Sequence, residues 1–168
     1  GFLLQQSLLS LNIPVSEQIF RKNDWGKPYL ASHAVEFSLT HASYYAACAL
    51  DASPVGLDLE APRITMAVAN RCFHPTELTF LKSLPEPEQP DAVLRLWTIK
   101  EAYTKQLGSG LHIPLDSFYA DLRENGLYLY KDSRRIPVRL HEYRLGSLRL
   151  CLCSNSVRPE ITQFIPNL

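Results

Sequence analysis

The sequence predicts an α+β protein, and three observations carry that prediction. Short apolar or alternating runs recur between residues 35 and 59 and again after residue 117. Between them, residues 91–107 hold Ala92, Leu96, Ile99, Tyr103 and Leu107 at helical spacing, one apolar stripe on a long helix. Glycine- and proline-bearing turns punctuate the chain between these segments, with no repeat and no low-complexity tract.

Taken in order, Leu4, Leu8, Leu9 and Leu11 have helical spacing, and Asn12 and Pro14 end that helix. Residues 23–28, Asn-Asp-Trp-Gly-Lys-Pro, are turn chemistry. Three strand-like runs follow at 35–40, 44–50 and 55–59, and the short link 51–54 predicts a hairpin between the last two. Residues 64–72 and 76–84 read as short helices, the second with Thr76 as N-cap beside Glu77. Three prolines in 85–90 predict an irregular loop. The long helix over 91–107 should end in a left-handed cap at Gly108-Ser109-Gly110. Four short strands are expected at 118–122, 127–131, 136–143 and 148–153.

The 168 residues suffice for one domain or two small fused halves, with a 46% apolar content that can build a core. Seventeen basic residues balance 17 acidic ones, so global charge points neither to nucleic acid nor to a membrane surface. No stretch reaches the roughly 20 apolar residues a membrane span needs. Residues 121–168 are mildly positive, with eight basic residues (Arg123, Lys131, Arg134, Arg135, Arg139, Arg144, Arg149, Arg158) against five acidic ones (Asp121, Glu124, Asp132, Glu142, Glu160). That excess suits a solvated strand face or an acidic partner. Of the four cysteines, only Cys151 and Cys153 are close, and their spacing of two places both thiols on one strand face, as small buried residues. Reduced thiols fit a cytoplasmic protein. The first residues carry no basic leader or cleavage site, and the missing initiator methionine leads us to expect a chain that begins further upstream.

Three segments bear chemistry. In Gly56-Leu57-Asp58-Leu59-Glu60 the two carboxylates, two apart, share a strand face. Such a pair suits a hard cation such as Mg²⁺ or, equally, a solvated strand end. In Trp97-Thr98-Ile99-Lys100-Glu101-Ala102-Tyr103-Thr104-Lys105, residues 97, 101 and 105 lie on one side of the helix. A surface Glu–Lys pair would explain that face, but Leu94 and Trp97 on the same side argue for a covered wall of a cleft. The third segment, 35–42, is a strand that brings Thr40 and His41 to its end, downstream of Lys27 in its Gly-Lys-Pro turn.

In order and spacing these segments resemble the 4′-phosphopantetheinyl transferases of the larger, surfactin-synthetase-activating type. Gly26-Lys27-Pro28, Phe37-Ser38-Leu39-Thr40-His41, Gly56-Leu57-Asp58-Leu59-Glu60, the helix motif from Trp97 to Lys105, and the loop and strand over 108–118 follow one another as in that family, across about residues 20–120. The resemblance implies two similar α+β halves related by a pseudo-twofold axis, divided here as 1–54 and 55–168, with coenzyme A in the cleft between them. It implies transfer of the phosphopantetheine arm of coenzyme A to a carrier-protein serine. Asp58, Glu60 and Glu101 would hold Mg²⁺, or Mn²⁺, with Glu101 as general base and Lys105 on the transferring phosphoryl group or the leaving oxygen. Lys27, Thr40, His41 and, with Lys105, Asp58 would contact the coenzyme, and Lys100 has no assigned role. Acyl, polyketide and peptidyl carriers all qualify as partners.

Two departures stand out. Thr40 replaces the family's usual serine and keeps the hydroxyl. Residues 1–19 contain no lysine or arginine and so lack the family's basic N-terminal segment, which we expect upstream. The length argues against the short trimeric type and for a monomer. Two rivals are a non-catalytic module that binds coenzyme A or a carrier protein, and a different Mg-dependent phosphate enzyme on the same acidic trio. The complete set of carboxylates plus Lys105 speaks for transfer.

Overall fold

The packing of two leucines sets the start of the molecule. In a computed structural model, described for residues 1–32, 34–122 and 126–156, α1 (Phe2–Ser10) buries Leu4 and Leu8 against Leu30, Val35 and Phe37. Leu9 and Leu11, expected on the same stripe, are exposed, because Leu9 sits over a quarter turn from Leu8 and Leu11 falls beyond the helix end. Strands β1 (Phe20–Lys22) and β2 (Pro28–Leu30) pair across the turn at 23–27. There Asn23 Oδ1 accepts from the backbone N–H of Trp25 and of Lys27, and Gly26 takes the left-handed conformation at φ +85°.

The strand pairing departs from expectation. β3 (Glu36–Ala42) pairs antiparallel with β4 (Tyr45–Asp51), and β5 (Gly56–Glu60) pairs with β10 (Leu148–Ser154) rather than with β4. The tight turn at Ser43 (φ +54°) closes the β3–β4 hairpin first. Asp51 Oδ1 then caps Ser53, and the chain leaves β4 towards a strand almost a hundred residues further on. Local link length carries no information about such a partner.

Next come α2 (Met66–Cys72) and α3 (Pro75–Ser83). His74, not Thr76, caps α3: its Nδ1 accepts from the Thr76 N–H while Glu77 answers the His74 N–H, a reciprocal box with an imidazole in the usual hydroxyl's place. The proline-rich 85–90 segment is shorter as a loop than expected. A 3₁₀ turn (Glu86–Glu88) leads straight into α4 (Gln89–Leu107), whose first turn tolerates Pro90 because its N–H would lack a partner anyway. Gly108 closes α4 at φ +74°, as expected. Beyond lie β6 (Tyr119–Asp121), β7 (Tyr128–Lys131), β8 (Arg134–Arg135), β9 (Arg139–Leu145) and β10, so the strand expected over 136–143 starts later and a short strand precedes it. The strand orders are β5-β10-β9 and β6-β7-β8.

Helix α4 lies across β5 and β10, and its Leu96, Ile99, Ala102 and Tyr103 join Phe73, Leu81, Phe118, Cys151 and Cys153 in the main core. Leu107, expected on that stripe, is exposed. All four cysteines are free, and burial pushes the Cys153 thiol up to about 12. Gly56 lets helix and strand touch: a Cβ there would stand 1.9 Å from the Ala102 carbonyl oxygen. Gly56→Ala is therefore expected to cost about 3 kcal/mol, read by urea melting; a loss below about 0.5 kcal/mol would show that the helix moves aside freely.

The free edge of β5 is closed by side chains. Ser38 Oγ accepts from Leu57 N–H (2.9 Å) and Thr40 Oγ1 from Leu59 N–H (3.0 Å). Lys27 Nζ donates to Val55 O (3.1 Å) and Lys105 Nζ to Leu57 O (3.2 Å). The constant offset of the two hydroxyl bonds makes β3 and β5 run in the same direction. The α+β class with a cleft between two parts is thus the observed architecture. Of the basic C-terminal set, Arg123 and Arg158, with Glu124 and Glu160, lie outside the described residues. Arg144 and Arg149 pair with Asp91, so part of that charge is internal. No helix among the described residues is long and apolar enough to cross a membrane.

Candidate active site

Where β3, β5 and α4 meet, a cleft of about 350 Å³ is lined by Leu39, Thr40, His41, Asp58, Leu59, Glu60, Trp97, Glu101 and Lys105. Each element delivers its residues by its own period. Strand β5 places Asp58 and Glu60 two apart on one face, and α4 places Trp97, Glu101 and Lys105 four apart. The end of β3 contributes Thr40 and His41. Six of the seven residues expected at the site therefore share one cavity. Lys27 is the exception: it does not line the cleft, and its ammonium is held at the Val55 carbonyl, with burial lowering its pKa.

The electrostatics are those of crowded acids. Asp58 is 3% exposed; its Oδ1 accepts from Lys105 Nζ at 2.7 Å, while its Oδ2 is buried without a partner. Burial pushes the Asp58 carboxyl up, Lys105 pulls it down, and Glu60 pushes it up again. Glu101 is raised to about 7, first by burial and then by the charge of Asp58, with Lys105 opposing and Glu60 adding a little. Glu60 gives both oxygens to Arg63, at 3.0 and 3.1 Å.

A cation is the natural answer to such a set. The orphaned Asp58 Oδ2 and the mutual repulsion of three carboxylates fit an oxygen-seeking divalent ion. The trio is not yet gathered as a cage: among the described residues no three acidic, His or Cys side chains converge as a ligand set, since Lys105 and Arg63 hold two of the three.

Two residues in or beside the cleft had no role at the level of sequence. Trp97 lines the cavity with a buried indole N–H that has no acceptor. Its signal was position, one turn before Glu101 on the same face. Arg63 gave no signal, because an exposed arginine after a proline looks like any surface residue. Lys100, left without a role, is fully buried in a network apart from the cleft: Nζ meets Glu77 Oε2 at 2.9 Å and donates to Leu115 O and Phe118 O at 2.7 Å each. Thr40 accepts from Leu59, and among the described residues its own O–H has no acceptor, which leaves it to donate into the cleft.

Known proteins are similar to this chain in sequence and fold. A protein from Aneurinibacillus migulanus named 4′-phosphopantetheinyl transferase gsp is 35% identical over 144 residues, 85% of this chain and 60% of its own length. The 4′-phosphopantetheinyl transferase Sfp of Bacillus subtilis (strain 168) is 34% identical over 130 residues, 75% of this chain and 58% of its own. The chain thus spans about three-fifths of the length of these relatives. The solved holo-[acyl-carrier-protein] synthase of Thermotoga maritima shares the fold over 60% of this chain and 61% of that one, at a TM-score of 0.50 and 18% identity. The family model for the 4′-phosphopantetheinyl transferase superfamily matches residues 54–153, a stretch that holds all three cleft carboxylates and Lys105. With more than half of its length inside that match, the chain belongs to the 4′-phosphopantetheinyl transferase superfamily.

Proposed function

We propose that the cleft transfers the 4′-phosphopantetheine group of coenzyme A to a serine hydroxyl of an acyl, polyketide or peptidyl carrier protein. The observation that supports this most is the gathering of Asp58, Glu60, Glu101 and Lys105 on one cavity, with one carboxylate oxygen orphaned and Glu101 poised near neutrality. Asp58, Glu60 and Glu101 would hold Mg²⁺ or Mn²⁺, which when bound neutralises charge on the coenzyme's pyrophosphate. Glu101 takes the proton of the carrier serine, as its half-buried carboxylate suits a base working near pH 7. The serine oxygen then forms its bond to the β-phosphorus, and the bond from that phosphorus to the oxygen of the adenosine 3′,5′-bisphosphate breaks. Lys105 offers its positive charge to the transferring group or the leaving oxygen. His41 and the Thr40 hydroxyl bind phosphate oxygens at the mouth of the cleft. Lys27 joins them only by releasing the Val55 carbonyl. In this reading the halves divide at 54/55, and the protein works as a monomer in the cytoplasm.

The test is intact mass spectrometry of an apo carrier protein incubated with the protein, coenzyme A and Mg²⁺, with an EDTA control. One phosphopantetheinyl group should be gained, and the gain should vanish with EDTA. Absence of any gain across several carriers, both for this chain and for one extended at its N-terminus, would overturn the proposal.

A further inference from the structure

Glu60 is the one cleft carboxylate with no oxygen to spare. Glu101 has neither oxygen tied by an ion pair among the described residues, and Asp58 keeps Oδ2 free. Glu60, by contrast, lends both oxygens to the Arg63 fork, Oε2 to Nε at 3.0 Å and Oε1 to Nη2 at 3.1 Å. The two protein cations at the cleft are unequal. The Lys105 side chain is 30% exposed against Asp58 at 5%, and it is also tied to the Leu57 carbonyl. The Arg63 side chain is 72% exposed and makes no other ion pair among the described residues. It stands on the turn after β5, where its N–H closes back on the Ala61 carbonyl at 2.7 Å and Pro62 stiffens the bend. That turn returns the guanidinium to the strand end it has just left.

A bidentate guanidinium takes one lone pair on each carboxylate oxygen and opposes the charge that would draw a cation there. A divalent ion at Glu60 therefore meets a cation already in place, and an exposed guanidinium is readily released to water. We propose that Arg63 stands in for the cation at Glu60 and competes with it, so that this arginine sets how tightly the cleft takes up a divalent ion. The inference rests on the cation reading of Asp58, Glu60 and Glu101. It adds that Arg63 offsets part of the carboxylates' charge until a cation enters, and then swings away.

Titration with Mn²⁺ alone, followed by electron paramagnetic resonance of the free ion, tests this on the whole chain. Arg63→Ala should bind Mn²⁺ about two- to fivefold more tightly than the wild type, the range an exposed ion pair supplies. Arg63→Lys, which keeps charge but loses the fork, should fall between them. In a Glu60→Gln background, removing Arg63 should leave Mn²⁺ affinity unchanged. Equal or weaker binding by Arg63→Ala overturns the inference, as does a gain that survives in the Glu60→Gln background, which would mark a diffuse charge effect. Failure of both wild type and Arg63→Ala to bind Mn²⁺ at millimolar concentration removes the inference together with the cation reading beneath it, a different result from equal binding by the two.

Discussion

In the proposed reaction, Glu101→Gln is expected to lower phosphopantetheinyl transfer by about 10²–10⁴-fold, the usual share of a positioned general base, and to leave the fold intact. The amide keeps the shape of the carboxylate and its place in the cleft wall but cannot accept the serine proton. The pH dependence follows from the same residue. A base must be deprotonated to act, and without a cation Glu101 is raised to about 7 by burial and by Asp58, so transfer should rise as pH climbs towards that region. A bound cation pulls the midpoint down, so the loss of activity on acidification is expected to begin at a higher pH when Mg²⁺ is limiting. The stability effect has the opposite sense. A carboxyl whose folded pKa lies above its unfolded value contributes stability fully below about 4.5 and loses it as pH rises through about 7. Above pH 7 the ionised Glu101 thus burdens the fold, and Glu101→Gln should melt at a higher temperature than wild type at pH 8 but not at pH 4. A variant that transfers at the normal rate would remove Glu101 from the role of base, and a lower Tm at pH 8 would contradict its electrostatics.

Lys100→Ala, one residue away, is expected to do the reverse: it acts on stability and touches the cleft only through the core. Lys100 is 0% exposed, and its three donors are used by Glu77, Leu115 and Phe118, with the Phe118 ring 4.2 Å from Nζ. Burial pushes the Glu77 carboxyl up and the Lys100 ammonium down, while their attraction opposes both shifts. Removing the lysine leaves a buried carboxylate and two buried carbonyls without their donor, a loss of about 3–5 kcal/mol. For a chain of this size that lowers Tm by roughly 6–20 °C. An apolar exchange of both partners is no remedy, because Glu77 also accepts from the Ala120 and His74 amides. Melting in urea or by calorimetry decides the matter. A change below about 1 kcal/mol would mean that the surroundings collapse onto the gap or admit water.

Much of this was legible in the sequence where the signal is local. The period of α4, the glycine that ends it, and the alternation in β3, β5 and β10 each state a face and a boundary. The family resemblance joined Asp58, Glu60, Glu101, Lys105, Thr40 and His41 into one expected site, and the structure has all six lining one cleft. What escaped is non-local or chemically unusual. The β4 partner was misjudged because a proline-bearing link resembles a hairpin turn, whereas β5 has its partner in β10, which reaches it through the sheet and not along the chain. The α3 cap was misplaced because an imidazole acceptor lacks the usual hydroxyl signature. Lys100 gave no sign of burial, since a lysine beside a glutamate on a helix reads as solvated until Glu77, Leu115 and Phe118 come round from other elements. Lys27 obeyed its motif in position but points its ammonium at a strand carbonyl.

That carbonyl belongs to the sealed edge of β5, and the seal bears on solubility. An unpaired strand edge is a template on which other chains add, and natural proteins blunt it with lysines or cover it. Here Lys27, Ser38, Thr40 and Lys105 answer the edge's backbone groups at Val55, Leu57 and Leu59, and two of them also face the cleft. The chemistry of the site and the colloidal behaviour of the protein are therefore written into the same side chains. A Lys105 or Thr40 variant leaves a backbone group of that edge without its partner at the moment it alters the cleft, so lost turnover in such a variant is weighed against any self-association. Its aggregation state belongs beside its rate.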